Sequence, residues 1–281
     1  MFVLAAILAL AIGVSLGLLG GGGSILTVPI LVYALHVAPK PAIAASLFVV
    51  GVTSLIGMIA HARAGTGRAR IGLVFGGAGM AGAYAGGRIA HFVRGELLLI
   101  AFGGVMLLTA LAMIRPRREA SAPRPAALGK VIAVGALVGV ASGLIGAGGG
   151  FLIVPALLLF GGLAMHEVIG TSLLVIAMQC FAGFAGQVAN VEINWPLTLV
   201  VAGAAVVGSL VGVRLARRTA QATLRKGFGW FVIAMGLFML GKQLPLAPVG
   251  VVGAAAVALA AWMSRTPRHA ALVLPLSRTV N

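Results

Sequence analysis

Hydrophobic positions along this chain fall in long, nearly unbroken runs. They show neither the i, i+3, i+4 stripes of water-facing helices nor the strict alternation of half-buried strands. Ten of the runs form two sets of five. The first set covers about residues 2–19, 25–38, 42–61, 71–93 and 96–114, and the second about 128–145, 151–163, 168–188, 197–214 and 224–241. An eleventh run, about 247–264, follows. A helix needs roughly 20 mainly apolar residues to cross a bilayer. The 25–38 and 151–163 runs are short for that, and each follows a cluster of glycines. This is the pattern of a discontinuous helix or a re-entrant hairpin. The first run lacks the basic leader of a signal peptide and has a counterpart in mid-chain, so it belongs to the fold.

The two sets are copies. The segment Gly17–Leu31, GLLGGGGSILTVPIL, recurs at Gly143–Leu157 as GLIGAGGGFLIVPAL, an offset of 126. Without a gap, Gly17–His61 maps onto Gly143–Gln187 with 15 identities in 45 positions. The same offset relates Gly82 to Gly208, Gly86 to Gly212 and Arg88 to Arg214. The chain therefore divides into a first repeat over 1–114, a basic linker over 115–127, a second repeat over 128–241, and a final helix with a basic tail over 242–281.

Composition fixes the environment. Of the residues 61% are hydrophobic and 9% charged, with a mean hydropathy of +1.15, where a soluble domain carries about a quarter of its residues as charges. Such a chain has too little polar surface for water and reads as a polytopic membrane protein. There is no Asp, and the only acids are Glu96, Glu119, Glu167 and Glu192. That excludes an aspartyl intramembrane protease and an aspartyl-phosphate pump. One cysteine, Cys180, leaves no disulfide or redox pair, and no HExxH or Cys/His cluster suggests a metal. No cofactor is implied, and no nucleophile–base pair marks an enzyme.

The net charge of +16 belongs to cytoplasmic loops facing anionic lipid rather than to a nucleic-acid surface. The loop His61–Arg70 is basic, whereas its counterpart, Gln187–Pro196, has no Lys or Arg and carries Glu192. Equivalent loops then face opposite sides. With 62–70 inside, the segments 115–130 and 214–226 and the tail also lie inside. The expected fold is all-α, with two inverted-topology repeats, each containing a glycine-broken helix or hairpin, plus one C-terminal transmembrane helix. Its N-terminus is out and its C-terminus in.

Inverted repeats with broken helices bind substrate near the midplane. The breaks here are Gly20, Gly21, Gly22, Gly23 and Ser24 in one repeat, and Gly146, Ala147, Gly148, Gly149 and Gly150 in the other. A helix starting after such a run offers unpaired N–H groups at a positive dipole end, and Ser24 stands where an N-cap belongs. Two such starts would cradle a small oxyanion without a buried lysine. Glycine pairs at four-residue spacing, such as Gly82/Gly86 and Gly208/Gly212, read instead as helix-packing positions. A phosphate-binding P-loop is excluded because no Lys-Ser/Thr follows the glycines. Further candidates are Ser46 and its equivalent Ser172, with Thr171 beside it, and Gln179, the equivalent of Thr53 and the most unusual polar residue inside an apolar run. The hydroxyls have an alternative role, bonding back to their own helices. His61, His166 and Glu167 are the candidates for proton coupling, all near helix ends.

The paired G-L-[LI]-G-x-G-G-x-[IF]-L-x-V-P segments resemble those of the sulfite exporter TauE/SafE family, and the resemblance spans about Ala5–Leu240. It implies a secondary transporter in a bacterial inner membrane that exports sulfite or a small organosulfur anion such as sulfoacetate. The motif positions carried over are Gly20–Ser24, Pro29, Gly146–Gly150 and Pro155. Alternatives are an importer or channel for small anions, or a non-transporting assembly or sensor protein. The implied partners are a small anion and the lipid bilayer, and the sequence leaves a homo-oligomer open.

Overall fold

A computed structural model describes residues 2–19, 24–62, 68–114, 128–146, 149–160, 165–216 and 221–243. The Gly20–Gly23 run, Gly148, the 115–127 linker, the 247–264 run and the tail lie outside the described residues. Every regular element among the described residues is helical. The first repeat contributes α1 (Phe2–Leu19), α2 (Ser24–Pro29), α3 (Pro39–Ala62), α4 (Ala69–Ala90) and α5 (Gly95–Ile114). The second contributes α6 (Leu128–Ile145), α7 (Gly150–Phe160), α8 (Met165–Gln187), α9 (Trp195–Ala216) and α10 (Gln221–Gln243). Three described segments, Pro39–Ile59, Glu167–Asn190 and Trp195–Leu215, are long and apolar enough by length and composition to cross a membrane. Large side chains such as Val3, Ile7, Leu137, Leu199 and Val207 point outward on helices that are apolar elsewhere, as expected where lipid replaces water.

The two short helices carry a proline at the same place. Pro29 is the sixth residue of α2 and Pro155 the sixth of α7. A proline has no N–H to donate to the preceding turn. After Pro29 the chain widens into a π-helical turn, Ile30–Ala34, closed by Leu35 N–H donating to the Ile30 carbonyl at 3.0 Å. Such turns recur at functional sites.

The repeats do not form separate bodies, because each supplies the partners the other lacks. A Cβ at Gly13 would lie 2.0 Å from the Ala205 carbonyl oxygen, and one at Gly17 would lie 2.2 Å from that of Ser209, so α1 and α9 touch backbone to backbone. In the other direction, a Cβ at Gly208 would meet the Leu10 carbonyl at 2.3 Å. Each contact recurs 126 positions on with the repeats exchanged. Gly139 faces the Gly79 carbonyl at 2.1 Å, Gly143 faces that of Ala83 at 2.0 Å, and Gly82 faces that of Ala136 at 2.1 Å. The four-residue glycine spacings are therefore packing devices, which let helix axes approach until Cα–H groups meet carbonyls.

The cores carry the same exchange. Ala5 and Ala9 of α1 are buried with Leu197, Val201 and Ala205 of α9, and Leu47 and Val50 of α3 with Leu173, Ile176 and Cys180 of α8.

Candidate functional site

The candidate site lies where α6 ends and α7 begins. Gly146 N–H makes the last bond of α6, to the Ser142 carbonyl at 3.0 Å. The carbonyl of Gly149 then accepts from Leu152 and Ile153 at 2.8 and 2.7 Å and opens α7. Gly146 and Gly149 have φ of +77° and +61°, left-handed angles that cost an L-residue roughly 1–2 kcal/mol. The first amides of α7 have no acceptor in their own helix. At the counterpart, Ser24 is the first described residue of α2, and Gly20–Gly23 lie outside the described residues.

Four helices converge on the second break. Ile43 of α3 presses against Gly146, where an added Cβ would come within 2.2 Å of its Cγ2. Ser46, one turn on, is fully buried and donates its hydroxyl both to the Ile43 carbonyl at 2.7 Å and to the Gly146 carbonyl. Gln179 of α8 is fully buried with no hydrogen-bond partner for its amide oxygen or nitrogen, and Ser142 of α6 is buried with an unpartnered hydroxyl. Both reach Gly149. A Cβ there would lie 3.1 Å from Ser142 Oγ and 3.4 Å from Gln179 Oε1. The Gln179 amide also lies over Gly79 of α4, where a Cβ would collide with its nitrogen at 2.0 Å. Only glycines leave room for it.

The remaining candidates are placed differently. Ser172 donates to the Ile169 carbonyl at 2.9 Å, repeating the Ser46–Ile43 bond at the same offset. Thr53 donates to the Val49 carbonyl at 2.6 Å. Thr171 sits two turns before Gln179 on α8, about 12 Å away at 1.5 Å rise per residue. It donates to the Glu167 carbonyl at 2.7 Å and accepts from the Arg68 amide at 3.0 Å. Glu167 pairs with Arg68 at 2.9 Å, partly exposed. His166 lies in the first turn of α8. His61, near the end of α3, is buried. Its equivalent, Gln187, donates to the Gly143 carbonyl at 2.6 Å. Thus Ser46, Gly146, Gly149, Gly150 and Gln179 gather at one break, while Thr171 and Glu167 belong to one helix end. Ser24 is buried at the other break.

Ser142 is not marked by the repeat, because its equivalent is Leu16 and the two form no matched polar pair. The available signal was its position, four residues before the glycine run at the end of an apolar helix. Among the described residues, no cluster of His, Cys, Asp or Glu could hold a metal.

An all-helical fold with long apolar helices and apolar side chains turned outward is that of a membrane protein, and the comparisons give its class, a membrane transporter. The model for the sulfite exporter TauE/SafE family matches residues 5–239, and the chain belongs to that family. A "Probable membrane transporter protein" of Xylella fastidiosa (strain Temecula1) is 35% identical over 242 residues, covering 83% of this chain and 92% of the relative. The similarly named YdhB of Bacillus subtilis is 25% identical over 235 residues (82% and 96%). A relative from Methanocaldococcus jannaschii is 26% identical over 259 residues (85% and 97%). No solved structure matches the chain.

Proposed function

We propose that this transporter is a secondary carrier exporting a small sulfur-containing anion, such as sulfite or sulfoacetate, across a bacterial inner membrane by alternating access. The anion binds at the paired glycine breaks, contacted by Gly20–Ser24, Ser46, Gly146, Gly148–Gly150, Ser172 and Gln179; Thr171, engaged at the start of α8, takes no part. The observation that carries this reading is the α6–α7 break itself. There the left-handed Gly149 precedes α7 beside the buried, uncharged side chains of Ser142 and Gln179. Backbone amides at a positive dipole end bind anions without a buried cation.

The exchange of backbone contacts at offset 126 supports inverted repeats, each with an odd number of elements. Arg68 lies at the N-terminal end of α8, so the basic 62–70 loop and the start of α8 share one side, as the orientation with the N-terminus out and C-terminus in requires. An interior-negative potential favours anion exit by roughly 2.3 kcal/mol per charge per 100 mV, so export needs no coupled ion. His61, His166 and Glu167 become central only if a proton gradient proves necessary.

The test is flux of sulfite and sulfoacetate from proteoliposomes at imposed potentials, with and without a pH gradient. Voltage-driven, saturable flux with counterflow, abolished in Gly22→Leu and Gly149→Leu, is expected of the carrier. Non-saturating flux without counterflow would make it a channel.

A further inference from the structure

The two half-sites are not chemically equal, and the inequality bears on which of them holds the headgroup of the anion. At the second break two side chains that are buried and unpartnered, Ser142 and Gln179, stand around Gly149. Their equivalents in the first repeat are Leu16, which is apolar, and Thr53, whose hydroxyl is taken by the Val49 carbonyl. A buried polar group without a partner destabilises a fold. Two of them at one helix start, with room kept by Gly79 and Gly149, therefore point to a ligand that completes their bonding.

We propose that Ser142, Gln179 and the first amides of α7 form the subsite for the oxygen-bearing headgroup of the anion, a subsite that the first repeat does not reproduce. This deepens the carrier reading and rests on it. The serine hydroxyl donates one bond. The glutamine carboxamide turns about its broad terminal torsion to offer two donors, and the helix start offers more. All are neutral. Apart from Lys40, which is partly buried and donates to the His91 carbonyl at 2.9 Å, every lysine and arginine whose side chain is described is exposed. Hydrogen bonds and a helix dipole balance one negative charge better than two, so the subsite suits a sulfonate or hydrogen sulfite group. The rest of the molecule then faces the first repeat, and one orientation is kept through the transport cycle.

The probes are methanesulfonate, which is a single headgroup on a methyl, and sulfite, titrated calorimetrically into the purified full chain in detergent. Ser142→Ala and Gln179→Met should each weaken binding at least about tenfold, the effect of losing a hydrogen bond to a charged group. The ligand-free proteins should melt no lower than the unsubstituted one, because each substitution removes an unpartnered polar group. Thr53→Val should bind as before. In a Cys180→Ala background, methanesulfonate should slow modification of Ser142→Cys by a small thiol reagent. Unchanged affinity in both variants would overturn the subsite and leave the carrier standing. Lowered melting in both, with no protection of the cysteine, would make the pair structural and also overturn it. Failure of the unsubstituted chain to bind either anion would overturn subsite and carrier together.

Discussion

Ser46 donates its hydroxyl to the carbonyl of Gly146, tying the third helix of one repeat to the last residue before the break in the other. The hydroxyl shares its proton with the Ile43 carbonyl, and Ile43 itself packs on Gly146. The break is thus held in place from the opposite repeat. Ser46→Ala should cost about 1 kcal/mol of stability, the net worth of such a bond. A thermal melt followed by intrinsic fluorescence would register the drop, and flux should fall with it as the break loosens.

Gly146→Ala combines two penalties. The left-handed angle costs an L-residue roughly 1–2 kcal/mol, and the new methyl meets Ile43 at 2.2 Å. We expect a lower unfolding midpoint and loss of most sulfite flux, measured on proteoliposomes matched for protein content.

Helix-interior glycines should separate into two groups. Gly13→Leu and Gly139→Leu drive a side chain into a facing backbone carbonyl, which cannot yield as a flexible side chain would. Membrane accumulation of both should collapse. Gly104 and Gly203 have nothing within 4 Å of an added Cβ, so Gly104→Ala and Gly203→Ala should raise stability, by up to about 1 kcal/mol each. Fluorescence-detected size-exclusion chromatography across a temperature series would rank all four.

The Arg68–Glu167 pair is partly exposed on both sides, and pairs of that kind contribute about 0–1 kcal/mol. Glu167→Gln should leave the unfolding midpoint almost unchanged. Its flux should keep the voltage dependence of the unsubstituted protein whether or not a pH gradient is imposed. A flux that loses its response to a pH gradient on this substitution would make Glu167 a coupling group.

Orientation is open to direct chemistry. Arg70 and Asn190 are both exposed, at opposite ends of the helices that carry them into loops. In a Cys180→Ala background, Arg70→Cys should react with a membrane-impermeant thiol reagent only from the cytoplasmic side. Asn190→Cys should react only from outside.

Helix positions were legible because apolar runs in a membrane chain end where polar residues begin. All ten described helices fall within a few residues of the runs read from sequence. The offset of 126 was legible too, because identical residues kept register across both copies. Partnership was not. Nothing in the order of residues states that Gly13 meets Ala205 rather than a helix of its own repeat, because a glycine pair shows a close approach without naming the other side. Ser142 was hidden for a related reason. Matching one copy against the other finds what they share, and a site built from what they do not share escapes that comparison. Thr171 stands next to Ser172 in the sequence, yet its hydroxyl is engaged at the start of α8 with Glu167 and Arg68. Only the register along the helix separates it from Gln179.

The exchanged glycine contacts also set a timetable for assembly. In space, the α1–α9 and α4–α6 pairs are equivalent. During synthesis they are not, because α4 meets its partner two helices later, whereas α1 must wait eight helices for α9. Until then its row of small residues lies open to lipid or to a neighbouring chain. A stalled or truncated product would be left with an unmatched helix and no native way to cover it, so membrane quality control has one specific surface to recognise. Expressed as two separate polypeptides, the halves should each be unstable alone and rescue one another when made together.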